Sequence, residues 1–68
     1  MIGSIAKFKS ENIALALNIK TNNFVRDKLQ DQILLIIGEC SHEYGYDLLK
    51  VYCDGLIYLV NKEDLRII

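Results

Sequence analysis

An Asp-Gly pair at positions 54 and 55 constrains the fold of this chain more than any other feature. It lies between two apolar runs, LLKVYC (48–53) and LIYLV (56–60). Asp-Gly in this setting is the strongest short-range signal for a β-hairpin, because a two-residue type I′ turn needs positive φ at both central positions. A loop of this length also fixes which residues face each other. The predicted apolar pairs on one face of the hairpin are Cys53 with Leu56, Val51 with Tyr58, and Leu49 with Val60.

A third strand is predicted upstream, in the β-branched run ILLII (33–37) that ends at Gly38. If it pairs antiparallel with 48–54, Ile36 faces Val51 and Leu34 faces Cys53, which extends the same apolar face. Downstream, NKED (61–64) is polar and predicts one turn of 3₁₀ helix. Leu65, with Ile67 or Ile68, is then expected to close the core. The remaining apolar residues of these strands are expected on the opposite, outer face: Ile33, Leu35, Ile37, Tyr52, Ile57 and Leu59.

The first 20 residues predict two further strands. Residues 1–9 form the first, with Ala6 and Phe8 facing the core. Strict alternation over IALALNIK (13–20) predicts the second. It places Ala14 and Ala16 on one face, small enough for close packing, and larger residues on the other. Those larger residues are Ile13, Leu15, Leu17 and Ile19.

Residues 23–37 are compatible with two structures. Apolar residues recur there at helical spacing, with Asn23 as a candidate N-cap and Gly38 as a C-terminal stop. A helix over 23–37 would give an α+β fold. The β-branched composition of 33–37 favours instead a short helical turn or irregular arm over 24–31, followed by a strand.

The order of these predicted elements resembles the second half of a Src-homology-3 barrel. ILLIIGE (33–39) resembles the strand after the diverging turn of that family. LLKVY (48–52) lies where the family has two tryptophans and then Lys-Val, and LVNKEDLRII (59–68) where it has a hydrophobic pair, a proline, a helical turn and the last strand. The resemblance covers residues 31–68 and implies an all-β, five- to six-stranded barrel with one short 3₁₀ turn. GSIAKFK (3–9) is similar to the start of short barrel proteins encoded by tailed bacteriophages.

The size and charge of the chain limit its class. Its 68 residues predict a single barrel domain over 1–68 with a small core. The net charge of −1 gives no general attraction to nucleic acid or membranes. No apolar run is long enough to span a bilayer and no secretory segment is evident, so we expect a cytoplasmic protein, in the host cytoplasm if it is phage-encoded.

No catalytic residue, metal site or cofactor is predicted. The sequence has one histidine, no glycine-rich phosphate loop and no nucleophile–base arrangement. Cys40, expected beyond the end of its strand, and Cys53, expected in the core, would lie roughly 20 Å apart at about 3.3 Å per strand residue. That separation is too long for a disulfide, and it argues against a metal site that combines both cysteines with His42. We therefore expect a protein that is not an enzyme.

Five residues are candidates for binding a partner. Three of them, His42, Tyr44 and Tyr46, lie in the loop between the strands predicted over 33–37 and 48–53, where tyrosines suit an interface. Alternatively, the two tyrosines cover the end of the core. Leu35 and Leu59 are candidates on the outer face, because several exposed apolar residues would form an unusually large patch for a monomer.

The same resemblance argues against proline-rich peptides as ligands. The family binds such peptides on an aromatic layer, and Leu48, Asn61 and Asp64 stand where the groove tryptophan, proline and tyrosine would be. We expect no binding of PxxP peptides.

Three functional hypotheses follow. The first is a non-catalytic protein–protein interaction module, such as a small phage or mobile-element accessory protein that acts on a host component. The second is a structural or assembly protein that forms homo-oligomers through its outer face. The third, and least favoured, is a nucleic-acid-binding barrel, because acidic residues surround the candidate tyrosines: Glu39, Glu43 and Asp47.

Overall fold

The computed structural model of the protein describes residues 2–40 and 47–68, and these residues form one antiparallel sheet of seven strands. The strands are β1 (Ile5–Phe8), β2 (Leu15–Asn18), β3 (Asn23–Arg26), β4 (Leu34–Cys40), β5 (Leu48–Cys53), β6 (Leu56–Asn61) and β7 (Leu65–Ile67), and a 3₁₀ turn covers Lys62–Asp64. Their order in the sheet is β3-β2-β6-β5-β4-β1-β7, so β3 and β7 are its edges. The all-β fold class is confirmed, with seven strands and not the five or six predicted.

The β5–β6 hairpin has the predicted turn and register. φ is 50° at Asp54 and 83° at Gly55, as a type I′ turn requires. The three predicted apolar pairs are all observed, and Val51 and Tyr58, one such pair, are almost fully buried. The hairpin is therefore the centre of the sheet, both in strand order and in packing.

Strand β4 pairs with β5 as predicted at Ile36 and Val51, but a β-bulge follows. Beyond the bulge at Ile37 the register shifts by one, so that Gly38 lies opposite Lys50 and Cys40 opposite Leu48. Cys40 is thus the last residue of β4, and the expectation that it lies beyond the strand is wrong. A bulge adds an unpaired residue and increases the local twist, which helps the sheet to curve.

The additional strand is β3, in a segment for which the sequence predicts a short helical turn or irregular arm over 24–31. The Asn18 side chain accepts hydrogen bonds from the backbone N–H groups of Lys20 (3.0 Å) and Thr21 (3.4 Å), and Asn22 has a φ of 58°. These features turn the chain back, so that residues 23–26 pair with β2.

The alternative helix over 23–37 is wrong. Asp27 and Asp31 have φ values of 62° and 64°, which no α-helix accommodates, and both flank a series of turns. Leu29, within these turns, is only 2% exposed and belongs to the core.

The alternation over β2 is confirmed, but the smaller side chains face the core. Ala14 and Ala16 are at most 1% exposed, whereas Leu15 is 45% exposed. Across the sheet, Ala16 lies opposite the buried Val60. Because its inner side chains are small, β2 can approach the rest of the core closely. Its larger side chains are consequently on the face exposed to water.

The 3₁₀ turn and β7 complete the sheet next to β1. Asn61 caps the turn, since its side chain accepts a hydrogen bond from the backbone N–H of Glu63 at 3.0 Å. Leu65 is buried, as expected. Ile67 and Ile68 are 44% and 61% exposed, so the expectation that one of them closes the core is wrong. Strand β7 is an edge strand, and among the described strands it pairs with β1 alone.

The sheet is curved around its core. At about 4.8 Å between strands, a flat sheet would place its two edge strands roughly 29 Å apart. The Cα positions extend over only 24 × 24 × 22 Å. The curvature gives the sheet an inner face, where the core lies, and an outer face. The core consists of Ala6, Phe8, Ala14, Ala16, Leu29, Leu34, Ile36, Leu49, Val51, Cys53, Tyr58, Val60 and Leu65.

Candidate functional site

The outer face of the sheet carries an unbroken row of apolar side chains. Tyr52 on β5 lies opposite Leu35 on one side and Ile57 on the other, and Leu35 in turn lies opposite Ile5. Backbone hydrogen bonds extend the row at both ends, from Ile19 N–H to the Ile57 carbonyl (3.2 Å) and from Ile68 N–H to the Ile5 carbonyl (2.9 Å). The outer row, as we name it, is Ile19, Ile57, Tyr52, Leu35, Ile5 and Ile68.

Five members of the outer row are open to water. Leu35 is the least exposed of them at 38%, and Ile68 the most at 61%, while Ile57 is half-buried. Isolated exposed hydrophobic residues are common on monomers, but cross-strand neighbours lie about 4.5–5.5 Å apart and so form one surface. The outer row is therefore a continuous apolar strip.

A second row lies beside the outer row, two residues away on β2, β5 and β6, and three residues away on β4 because of the bulge. Leu17 lies opposite both Phe24 and Leu59, Leu59 lies opposite Lys50, and Lys50 lies opposite Gly38. This second row contains Phe24, which is 67% exposed and the most exposed large apolar side chain described.

Lys50 interrupts the second row with a charge, but its carbon stem lies along the sheet. A Cβ placed on Gly38 would lie 3.6 Å from Lys50 Cβ and 3.9 Å from Lys50 Cδ. The stem therefore passes over the backbone of β4, where glycine leaves space. Lysine commonly packs its methylene groups on apolar surface while its ammonium group stays in water.

All the charged residues at outward-facing positions of the described strands are basic. Three of them alternate with buried residues of the same strand and therefore point outward: Lys7, Lys50 and Arg66. The fourth, Arg26, lies opposite the exposed Leu15. The described carboxylates lie in turns and connections, apart from Glu39, which is exposed near the end of β4 opposite the inward-facing Leu49. Those in turns and connections are Glu11, Asp27, Asp31, Asp47, Asp54, Glu63 and Asp64.

Two of the predicted binding residues lie on this outer face. Leu35 is exposed in the outer row, and Leu59 is half-buried in the second row. They are on β4 and β6, which β5 separates, so they share a face without being direct neighbours. The other predicted binding residues, His42, Tyr44 and Tyr46, lie outside the described residues.

Sequence reasoning missed several parts of this surface. Ile5 and Phe24 are not among the expected outer residues, and the common sign of the charges emerges only when the strands are arranged in the sheet. The alternation in IALALNIK already separated Leu17 and Ile19 from the alanines, but it could not show which face is buried.

The residues at the groove positions of the resembling family have local structural roles. Asn61 caps the 3₁₀ turn, and Asp64 Oδ1 accepts a hydrogen bond from Asn12 Nδ2 at 2.9 Å. Leu48 is half-buried at the start of β5. A shallow depression beside the turn is lined by Asn12, Ile13, Leu15, Arg26 and Asp64.

Both cysteines are free thiols in different surroundings. Cys53 is 7% exposed, as expected for a core residue, and Cys40 is half-buried. Burial raises the pKa of the Cys53 thiol, and the negative charge of Asp54 acts in the same direction. Within residues 2–40 and 47–68, no group of three or more His, Cys, Asp or Glu residues is placed to hold a metal ion.

Comparison of the chain with protein-family models, with curated proteins and with solved structures finds no match. None of the described residues belongs to a helix that is long and apolar enough to cross a membrane.

Proposed function

We propose that this chain is a non-catalytic protein–protein interaction module that binds a different protein through the outer row and the second row. The observation that carries the proposal is the continuity of the outer row across the sheet, with five of its six side chains at least 38% exposed. Water-exposed apolar side chains arranged as a contiguous surface mark sites of association.

The area of the two rows is sufficient for a small interface. A large side chain has roughly 200 Å² to bury, so the observed exposed fractions amount to roughly 600 Å² of apolar side-chain surface on this chain. With an equal contribution from the partner, the total reaches about 1,200 Å², the lower limit of ordinary specific interfaces. The two rows are therefore large enough to hold a partner without further surface.

We also propose a fold type and a biological role, both of which rest on the resemblances of the sequence. A Src-homology-3-like barrel is supported by the two-residue hairpin between β5 and β6, by the 3₁₀ turn between β6 and β7, and by the position of β1 between β4 and β7. A role as a small phage or mobile-element accessory protein that acts on a host component rests on the similarity of residues 3–9 to such proteins.

Self-assembly through the same face is the second candidate, and its support is the same apolar area. A face-to-face dimer would bring two identical sets of basic side chains together, with Lys50 inside each contact surface. Like charges placed against each other oppose association. The charge of the face therefore favours a different protein over a second copy.

The test compares proteins retained from a bacterial lysate by the wild-type chain and by two outer-row variants, Leu35→Lys and Tyr52→Glu. Lys62→Ala is the matched control, since Lys62 is exposed on the 3₁₀ turn. We expect a protein that the wild type and the control retain and that both outer-row variants lose while remaining folded by circular dichroism. Equal retention by all four proteins would refute the proposed surface.

A further inference from the structure

The charge of the outer face suggests what chemistry its partner has. The chain as a whole carries a net charge of −1, yet each charged side chain at an outward-facing described strand position is a cation. These cations are Lys7, Arg26, Lys50 and Arg66. The face that a partner meets is thus apolar and basic, although the protein is slightly acidic.

The cations are placed around the apolar rows as well as within them. Arg26 lies opposite Leu15 at the β3 edge of the sheet, and Lys7 lies opposite Arg66 at the β7 edge. Lys50 is in the second row, next to Leu59. A partner that covers the two rows with apolar side chains would meet Lys50 near the middle of its contact surface and the other cations near the two edges of the sheet. Carboxylates of the partner at those positions would form ion pairs with them.

Most of the described carboxylates lie outside the strands of this face. Asp54 is in the β5–β6 turn, and Asp27 and Asp31 are in the turns between β3 and β4, where the Asp27 side chain accepts a hydrogen bond from the backbone N–H of Ala14 at 3.3 Å. A partner segment that stays on the outer face would therefore meet the cations of the strands rather than these carboxylates.

The apolar residues of the face favour protein over nucleic acid. Binding of single-stranded nucleic acid relies on aromatic side chains that stack on the bases. The two rows contain two aromatic residues, Tyr52 and Phe24, on strands β5 and β3, which β6 and β2 separate. The other apolar members are leucine and isoleucine, which suit the side chains of a protein.

From these observations, and resting on the proposed function, we infer that the outer face binds an acidic amphipathic protein segment, in which leucine-like side chains cover the two rows and carboxylates pair with Lys50 and the flanking cations.

The experiment uses two peptides of about 18 residues, roughly 27 Å long as helices, a length similar to the 24 Å extent of the molecule. The first peptide has leucine on one helical face and glutamate on the other. In the second peptide, lysine replaces each glutamate. Each is titrated into the ¹⁵N-labelled full chain, and backbone shifts at Leu35, Tyr52 and Leu59 report binding. Two charge-reversal variants are compared, Lys50→Glu on the face and Lys62→Glu on the 3₁₀ turn.

We expect the glutamate peptide to bind about tenfold more tightly than the lysine peptide. Lys50→Glu should reduce this preference several-fold, while Lys7, Arg26 and Arg66 preserve the remainder. Lys62→Glu, with the same change of net charge, should alter either affinity by less than about twofold, because Lys62 lies on the 3₁₀ turn outside the two rows and its charge is exposed and screened by salt.

Four results would overturn the inference: equal binding of both peptides, binding of neither, equal effects of the two charge reversals, or tighter binding to a twelve-nucleotide oligo-dT or to phosphatidylglycerol vesicles than to the glutamate peptide. None of them refutes the proposed function, which fails only if Leu35→Lys and Tyr52→Glu leave protein capture unchanged.

Discussion

Asn12 and Asp64 are joined by a hydrogen bond of 2.9 Å between Nδ2 and Oδ1, although they are 52 positions apart in sequence. The backbone reinforces this connection, because Lys9 N–H donates to the Asp64 carbonyl at 2.8 Å. The turn that follows β1 is thereby attached to the 3₁₀ turn that precedes β7. Two hydrogen bonds therefore connect the segment between β1 and β2 with the segment between β6 and β7.

Removal of this attachment is expected to destabilise the fold modestly. Asp64→Ala should lower the free energy of unfolding by about 1 kcal/mol, the usual net contribution of one such hydrogen bond. Urea denaturation measures the change. Glu63→Ala is the control, since Glu63 is exposed on the same turn, and it should change stability by less than about 0.5 kcal/mol. Equal losses for the two variants would show that the Asn12 contact contributes nothing.

Neighbouring leucines on β4 should respond differently to substitution. Leu34 is fully buried, and Leu34→Ala should cost about 2–5 kcal/mol because it leaves a cavity in the core. Leu35 is 38% exposed on the outer face, and Leu35→Lys should cost less than about 1 kcal/mol, since the lysine stem replaces much of its contact. Thermal and urea unfolding of the two variants checks both values. An unfolded Leu35→Lys protein would mean that Leu35 is part of the core.

Two glycines allow backbone strain to be separated from crowding. Gly55 has a φ of 83° and nothing within 4 Å of a Cβ, so Gly55→Ala should cost about 1 kcal/mol through strain alone. Gly38→Ala would place its methyl group in ordinary contact with Lys50, and should change stability by less than about 0.5 kcal/mol. Denaturant midpoints of the two variants give the comparison. A larger loss at position 38 would contradict it.

The two thiols should differ in reactivity. Cys53 is buried and its thiol pKa is raised, so iodoacetamide should modify it far more slowly than half-buried Cys40 while the protein is folded. Mass spectrometry of the modified peptides follows both sites, with the urea-unfolded protein as the control in which the rates converge. Equal rates in the folded protein would contradict the burial of Cys53.

The raised pKa of Cys53 also fixes the sign of a pH effect. Its contribution to stability is fully present below the pKa of the unfolded thiol, about 8.5. Above that pH the unfolded state loses the proton first, and stability falls as the pH rises toward the folded pKa. Cys53→Ala should lack this alkaline decrease.

Features set by short-range geometry were predictable from the sequence. The Asp54-Gly55 turn determines the pairing of β5 with β6 because a two-residue loop allows one register. The 3₁₀ turn follows from the polar segment 61–64. The hairpin register places Leu59 on the outer face, and antiparallel pairing of 33–37 with the hairpin places Leu35 there.

Features set by tertiary packing were not predictable. Alternation assigns the residues of β2 to two faces, but the face that is buried depends on how closely the strand approaches the core, and here Ala14 and Ala16 allow the closer approach. Leu29 is a single apolar residue in a polar segment, and no pattern marks it as core. The common sign of Lys7, Arg26, Lys50 and Arg66 is visible only when four separate strands lie in one sheet.

The position of β1 between β4 and β7 has a consequence for the order of folding. Pairing of β1 with β7 joins the two ends of the described chain, and loop closure over so many residues is slow and entropically costly. The β5–β6 hairpin closes over two residues and requires almost no search. We expect a transition state in which the hairpin is formed and the β1–β7 pair is absent, with a high φ-value for Val51→Ala and a low one for Phe8→Leu. Stopped-flow kinetics of these variants would then show that the pairing that brings Ile5 and Ile68 together, and so completes the outer row, forms after the transition state.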